Sequence, residues 1–279
     1  MAAERNFCAA SPHLSSVALH ESMKRRIDQL LVERKIAESW HKAHALLLAG
    51  RILVNEQKIE KPGQQVDEEA EIRVLHQLQF ASRAGGKLQG ALDHFQIPVA
   101  GRVCVDLGAS TGGFTDCLLQ NGASRIYGFD VGHGQMDWKL RSDPRIVIRD
   151  GFNVRNLSPA DLPANISFVC IDLSFISVTK ILLPLRDALL ANSGQADGTN
   201  AEIPVDVVVL VKPQFEVGKG EVGKGGIVRE PAKRLRALEA VSEFARQAGF
   251  IVAGSILSPV VGAEGNQEFL LYLQLAKEL

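Results

Sequence analysis

Four polar residues spread along the chain, Lys87, Asp172, Lys212 and Glu268, each stand at the end of an apolar run or beside a glycine-rich stretch. Two amines and two carboxylates are the groups a proton-transfer site needs. Lys212 carries the strongest signal, because it closes the run Val205-Asp-Val-Val-Val-Leu-Val211. A lysine there costs free energy unless a carboxylate or a substrate receives its ammonium. For any one of the four, a satisfied ion bridge at a strand end is the plainer reading. For the quartet together, next to the turn Asp106-Leu-Gly-Ala-Ser-Thr-Gly-Gly-Phe114, an active site is the better one.

That turn indicates what the site would hold. Gly108, Ser110, Thr111, Gly112, Gly113 and Phe114 follow the apolar run Val103-Cys-Val-Asp-Leu107, and glycines at the carboxyl end of a strand let the backbone approach a ligand. Asp130, followed by Val131, closes the next strand 22 positions after Gly108, where a carboxylate accepts the hydroxyls of a ribose. Ser110 replaces the second glycine of the dinucleotide fingerprint, and Asp106 suits an ammonium-bearing ligand better than a pyrophosphate. The combination points to S-adenosylmethionine rather than NAD.

The acceptor is approached by elimination. Enzymes that methylate exocyclic base nitrogens tend to carry Asn/Asp-Pro-Pro-aromatic after the fourth strand, where this chain has Asp172-Leu-Ser-Phe175. Pyrimidine C5 chemistry needs a nucleophilic cysteine, commonly after proline, and no Pro-Cys occurs. A hydroxyl remains, and its proton must leave as the methyl arrives. An ordinary lysine, with a pKa of about 10.4, is a poor base at neutral pH. Burial and a second cation such as Lys87 would lower that value, while Asp172 and Glu268 would orient the amines and pull it back up. A second glycine motif, Gly218-Lys-Gly-Glu-Val-Gly-Lys224, has phosphate-loop spacing. Gly225 stands where Ser/Thr would hold Mg²⁺, which excludes a nucleotide triphosphatase; a mobile basic loop or a plain solvent loop remains.

These residues need elements to hold them. Strands are expected at 102–107, 125–130, 145–149, 166–172, 205–211, 250–257 and 268–275, with helices near 114–120, 178–190 and 231–248. Alternation of this kind implies a Rossmann-like α/β domain, a mostly parallel seven-stranded sheet with helices on both faces. Only a turn separates the last two strands, so they are expected to pair antiparallel. Residues 192–202 read as a flexible surface loop. Ahead of this lies a small α+β module: helices around Ile27, Leu30 and Leu31 and, capped by Ser39, around Ala43 and Leu47, then strands at 51–55 and 71–75. The expected division is a disordered tail at 1–22, the module at 23–82, a linker at 83–86 and the α/β domain at 87–279.

Bulk properties narrow the class. The 279 residues are 46% hydrophobic and 23% charged with net charge −1, as in a globular protein without general polycation character. Residues 24–61 nevertheless hold nine Lys/Arg against five Asp/Glu, so RNA contacts are expected there. Cys8, Cys104, Cys117 and Cys170 show no metal-ligand spacing, so no metal is expected, and they fit a reducing cytoplasm. The sequence has no signal-peptide core and no apolar run of the ~20 residues that would span a bilayer, so no membrane partner is expected.

Taken in order, Ser82-Arg-Ala-Gly-Gly-Lys-Leu88, Asp106–Phe114, Asp172-Leu-Ser-Phe-Ile-Ser177, Lys212-Pro-Gln-Phe-Glu-Val-Gly-Lys219 and Gly265-Asn-Gln-Glu268 closely resemble the TlyA family. These are ribosomal-RNA 2′-O-methyltransferases, also called hemolysin A, with an FtsJ-like catalytic domain. The resemblance implies S-adenosylmethionine as methyl donor, a cytidine ribose as acceptor, and Lys87, Asp172, Lys212 and Glu268 as a catalytic tetrad with Lys212 as base. It also implies that Asp106, the 108–114 loop, Asp130 and Asp150 hold the cofactor. Arg25-Arg-Ile-Asp-Gln-Leu-Leu31, Gly50-Arg-Ile-Leu-Val-Asn55 and Lys61-Pro-Gly63 resemble the RNA-binding domain of the ribosomal-protein-S-four type. Arg25, Arg26, Lys42, Arg51, Lys58 and Arg83 would then meet rRNA phosphates. Where that family often has Ser-Arg, this chain has Ser39-Trp40, which removes one phosphate contact; His41 and Lys42 stand nearby to compensate.

Two other functions are weighed against this reading. A membrane-acting hemolysin has no lytic helix in the sequence to support it. A non-catalytic ribosome-assembly factor would not need all four tetrad residue types. By analogy with members that differ in short terminal extensions, the end at Leu279 points to the large subunit alone. The oligomeric state is left open.

Overall fold

The computed structural model describes residues 23–74, 79–163, 165–193, 204–218, 220–262 and 265–275. The expected tail at 1–22, most of the expected loop at 192–202 and Lys219 lie outside the described residues. The chain forms two compact units, Met1–Gln77 and Leu78–Leu279.

In the first unit, β1 (Lys24–Arg26) leads into α1 (Ile27–Glu33) and α2 (Trp40–Leu48). These are followed by β2 (Ile52–Val54), β3 (Gln57–Ile59), β4 (Gln65–Asp67) and β5 (Ile72–Val74). Ser39 caps α2 as expected, accepting from the Lys42 N–H at 3.3 Å. Ile27, Leu30, Leu31, Ala43, Leu47 and Ile52 close the core of the unit. The sheet β3-β2-β5 and the pair β1-β4 are both antiparallel. Three of these strands, β1, β3 and β4, go beyond the expected ribbon; at three residues each they are too short to show a period.

The second unit begins with α3 (Arg83–Phe95), followed by β6 (Val103–Leu107), α4 (Gly113–Gln120), β7 (Arg125–Phe129), α5 (Trp138–Arg141) and β8 (Ile146–Arg149). Then come β9 (Ile166–Ile171), α6 (Thr179–Ser193), β10 (Val205–Val211), α7 (Pro213–Glu216), α8 (Pro231–Gln247), β11 (Ile251–Leu257) and β12 (Phe269–Leu275). The seven-stranded sheet has the order β11-β12-β10-β9-β6-β7-β8. The pairs from β10 to β8 are parallel, and β12 runs antiparallel to both its neighbours. β10 is buried on both faces. Val207, Val209 and Val211 point into one core, while Val208 and Leu210 point into the other. Burial on both sides is why its sequence is apolar at every position but Asp206, which pairs with Arg102, rather than an alternation.

One expectation needs correction. Residues 83–86 are not a linker but the first turn of α3, whose N-cap Ser82 accepts from the Ala84 N–H at 3.3 Å. Two adjacent glycines, Gly85 and Gly86, disfavour a helix there. Gly85 is instead there for close packing: a Cβ on it would lie 2.4 Å from the Phe80 side chain. Its cost of roughly 0.5–1 kcal/mol in helix propensity is offset by letting the buried Phe80 ring pack directly on α3.

Candidate active site

Sheet register assembles the quartet. β9 is parallel to β6, with Ile171 opposite Leu107, and to β10, with Ile171 opposite Val209. Asp172 therefore emerges beside Gly108 and close to Lys212. β12 runs the other way with Phe269 opposite Val211, so its amino end delivers Glu268 to the same edge of the sheet. α3 adds Lys87. Pro213 at the first position of α7 keeps Lys212 extended and turns the chain immediately after it.

The four residues form two ion pairs, Lys87–Glu268 buried and Lys212–Asp172 half-buried. The Lys87 ammonium donates to Glu268 Oε2 at 2.5 Å. The Lys212 ammonium lies 2.6 Å from Asp172 Oδ1 and donates to Ser174 Oγ at 2.9 Å. The contact with Asp172 is not aligned as a hydrogen bond, so that buried oxygen retains its acceptor capacity. Gln214 Nε2 reaches Glu268 Oε1 at 3.5 Å, and Gln214 Oε1 is buried without a partner. Lys87, Lys212 and Glu268 line a cavity of about 330 Å³ together with Arg83, Ser174 and Phe175.

A larger cavity, about 980 Å³, opens beside it at the carboxyl ends of β6, β7 and β9 and shares Ser174, Phe175, Gln214 and Phe215 with the first. Gly108, Ser110, Asp130, Val131 and Asp172 line it, as do Phe129, Gln135, Phe152 and Asn153. Gly108 has to be glycine: φ is +92°, and a Cβ would fall 2.2 Å from the Asp172 carbonyl oxygen. Asp130 clamps the loop, Oδ2 accepting from the Ser110 N–H at 2.8 Å and Oδ1 from the Gly132 N–H at 2.6 Å. Ser110, where the dinucleotide fingerprint has glycine, is held at φ +47° by that bond. Thr111, Gly113 and Phe114 line a smaller recess with Gly108 and Asp172, while Gly112 caps α4 at φ +94° outside the cavities.

Two expected cofactor residues are placed elsewhere. Asp106 lines none of these cavities. It is fully buried, accepts from Thr115 Oγ1 at 2.6 Å, and leaves Oδ1 without a partner. Burial pushes its carboxyl up to about 7, against the bond from Thr115. Asp150 is drawn away from the cavity by Arg141 at 2.7 Å, whose hydrogen bond lowers its pKa. Phe152 and Asn153, two and three residues further on, line the wall in its place. Both stand in the segment Asp150-Gly-Phe-Asn153, in which the acid was the expected contact.

The state of Asp106 has a measurable consequence. Between its unfolded value near 4 and its folded value of about 7, the folded protein binds more protons than the unfolded chain. Its contribution is complete below about pH 4 and is lost as pH rises through about 7, at a rate on the order of 1 kcal/mol per pH unit. Melting curves of wild type from pH 5 to 8 should show this fall, and Asp106→Asn should flatten it. An equally steep fall in the variant would remove Asp106 as its source.

Other expected cations are partly engaged. Arg25 pairs with Glu33 at 2.5 Å and Glu68 at 3.3 Å, Arg26 with Asp28 at 2.6 Å, and Lys58 with Glu60 at 2.7 Å. Lys42 is exposed on α2, Arg51 is half-buried ahead of β2, and Arg83 belongs to the second unit. The decoy glycine motif lies between α7 and α8, where its Val222 touches the large cavity and Arg236 pairs with Glu221. Cys104, Cys117 and Cys170 are buried thiols, and burial pushes Cys104 up to about 12 and raises the other two. That makes them poor nucleophiles, in line with the exclusion of cysteine chemistry.

Phe175 went unassigned although it sits inside a quoted motif. It is 92% exposed, at φ +65°, at the junction of the two cavities and with its ring 5.2 Å from Phe215. A bulky residue in that backbone region costs on the order of 1–3 kcal/mol and persists only where the surroundings enforce it.

Comparison with known proteins identifies this arrangement. The FtsJ-like methyltransferase family matches residues 80–275, and the S4 domain matches residues 25–72. The 16S/23S rRNA (cytidine-2′-O)-methyltransferase TlyA of Mycobacterium tuberculosis is 41% identical over 253 residues, covering 90% of either chain. The chain belongs to the TlyA family. Hemolysin A of Brachyspira hyodysenteriae, 38% identical over 248 residues, covers 88% of this chain and 98% of its own length. A solved candidate hemolysin from Streptococcus thermophilus superposes with a TM-score of 0.66 at 39% identity, covering 90% of this chain and 88% of that one. The TlyA-type chain described here has, among its described residues, no helix long and apolar enough to cross a membrane.

Proposed function

We propose that this TlyA-family chain transfers a methyl group from S-adenosylmethionine to the ribose 2′-hydroxyl of a cytidine in ribosomal RNA, with Lys212 as general base. The carrying observation is the Lys212–Asp172 pair, set where a nucleoside-sized cavity meets a second, smaller one. The large cavity suits the cofactor. Gly108 lets the Asp172 backbone close against the strand end that lines it, and Asp130 keeps a second lone pair on each oxygen for ribose hydroxyls. Phe129, Phe152 and Val131 offer apolar surface for a flat heterocycle. When bound, S-adenosylmethionine supplies an electrophilic methyl group.

The residues of the chain do the rest. Asp172 and Ser174 hold the Lys212 side chain in place, so that its nitrogen, once deprotonated, can take the proton of the acceptor hydroxyl as the oxygen attacks. Lys87 and Glu268 form the far wall and neutralise each other, and Gln214 offers an unfilled acceptor to the incoming nucleoside. Holding both reactants at one wall supplies much of the rate by positioning. Lys42 and Arg83 bring cationic side chains to the RNA phosphates.

Incubating the protein with methyl-labelled S-adenosylmethionine and each ribosomal subunit tests this reading. Label should appear in rRNA at a cytidine whose 3′ linkage resists alkali, because a 2′-O-methyl group removes the internal nucleophile. Label on a base, or none on either subunit, would overturn it. Mapping both subunits also decides which one is modified.

Phe175 adds a second test. Its exposed ring at the cavity junction is placed to stack on the acceptor base. Phe175→Gly should leave the melting temperature unchanged or raised, since glycine tolerates φ +65°. It should also lower kcat/KM for rRNA by about 10-fold or more. A lowered melting temperature with unchanged kcat/KM would assign the ring to structure instead.

A further inference from the structure

The structure gives Trp40 an unusual setting in the first unit. The indole is 50% exposed at the start of α2 and takes no part in the core of its unit, which closes without it. One face is covered by the His44 ring, with centroids 3.6 Å apart and planes inclined at 37°. His44 is itself fixed: its Nε2 lies 3.0 Å from Asp28 Oδ2. Asp28 is completely buried and also accepts from Arg26 Nε at 3.1 Å and from the Gln29 N–H at 3.0 Å. A buried carboxylate therefore orients an imidazole, and the imidazole supports an indole held out in water. The edge of His41 meets the same ring at 5.5 Å, and the exposed Lys42 follows it in sequence.

Holding a tryptophan half in water forgoes hydrophobic stabilisation that a smaller or more polar residue would not forgo. The arrangement gives no compensating core contact, but it leaves a rigid aromatic face with cationic and donor groups beside it. Proteins that hold unpaired nucleic-acid strands use such faces for base stacking. The electrostatic side of this unit is correspondingly reduced, because Arg25, Arg26 and Lys58 are already paired with carboxylates.

We infer that Trp40, backed by His44 and anchored through Asp28, is a stacking platform for an unpaired nucleobase of RNA. Such a stacking contact depends little on salt, unlike a phosphate contact. The inference rests on the reading of this chain as an RNA-directed enzyme and adds to it a specific contact in the first unit.

The chain has two tryptophans, so full-length protein carrying Trp138→Phe reports on Trp40 alone. Its fluorescence should be quenched by single-stranded poly(C) and by heat-denatured rRNA fragments, and much less by a duplex RNA of equal length. Adding Trp40→Ala should weaken binding to the rRNA fragments about 10-fold or more, and Trp40→Phe, which keeps a ring, by much less. The slope of log K against log salt should be the same in all three proteins, since no phosphate contact is removed. Undiminished binding by the alanine variant would overturn the inference. So would a loss confined to low salt with a slope reduced by about one. If the Trp138→Phe parent bound no RNA at all, the RNA reading itself would fall, and the platform with it. Circular dichroism of the alanine variant checks that α2 is intact, and the phenylalanine variant keeps the test decisive if it is not.

Discussion

Lys212→Ala should lower the methylation rate by about 10³-fold while leaving the affinity for S-adenosylmethionine within about twofold. Removal of a positioned proton acceptor typically costs 10²–10⁴-fold. The side chain lines the smaller cavity and is absent from the wall of the larger one, so cofactor binding should hardly register the change. Alanine alone cannot separate a base from a fixed positive charge. Lys212→Arg can. Arginine keeps the charge opposite Asp172 but does not release its proton in a protein. As a base, Lys212 is irreplaceable by arginine, and both variants should be similarly inactive on rRNA. An arginine variant within about fivefold of wild type would remove the base role and leave Lys212 as an electrostatic support for the developing methyl transfer.

How much of this was legible in the sequence depended on whether a residue's environment leaves a local trace. The strand β10 was readable because a strand buried on both faces is apolar almost throughout, here all but Asp206, and Lys212 was readable because it ends that run. The antiparallel pairing of β11 with β12 followed from a connection too short for a crossover. The helix α3 was not readable, since Gly85 is dictated by Phe80, a contact that only the folded chain creates. Asp106 and Asp130 look alike in sequence, each an acid at or just beyond the end of a strand. Strand pleat sends one into the core against Thr115 and leaves the other on the cavity wall. Asp150 has an environment that the sequence does not mark: it is paired with Arg141, nine residues earlier. Phe175 lay unassigned because its importance comes from exposure and a strained φ, neither of which composition encodes.

The Lys87–Glu268 pair calls for a different kind of variant, because it joins fold and chemistry. Glu268→Ala leaves the Lys87 ammonium buried without its carboxylate, and loss of one partner of such a pair costs about 3–5 kcal/mol. Chemical denaturation should show that loss directly, and activity would fall with it for reasons unrelated to the reaction. The double variant Lys87→Met, Glu268→Gln separates the two. It removes both charges at nearly constant volume and leaves Gln214 a neighbouring amide, and most of the lost stability should return because no uncompensated charge remains. If the pair serves only to join α3 to the amino end of β12, methylation returns as well. If its charges shape the field around the Lys212 amine and the acceptor hydroxyl, the double variant is stable and still slow, with kcat reduced at unchanged KM for S-adenosylmethionine. A tetrad acting as a unit requires the second outcome. A stable, fully active double variant would shrink the catalytic group to Lys212 and Asp172 and make Lys87 and Glu268 part of the frame.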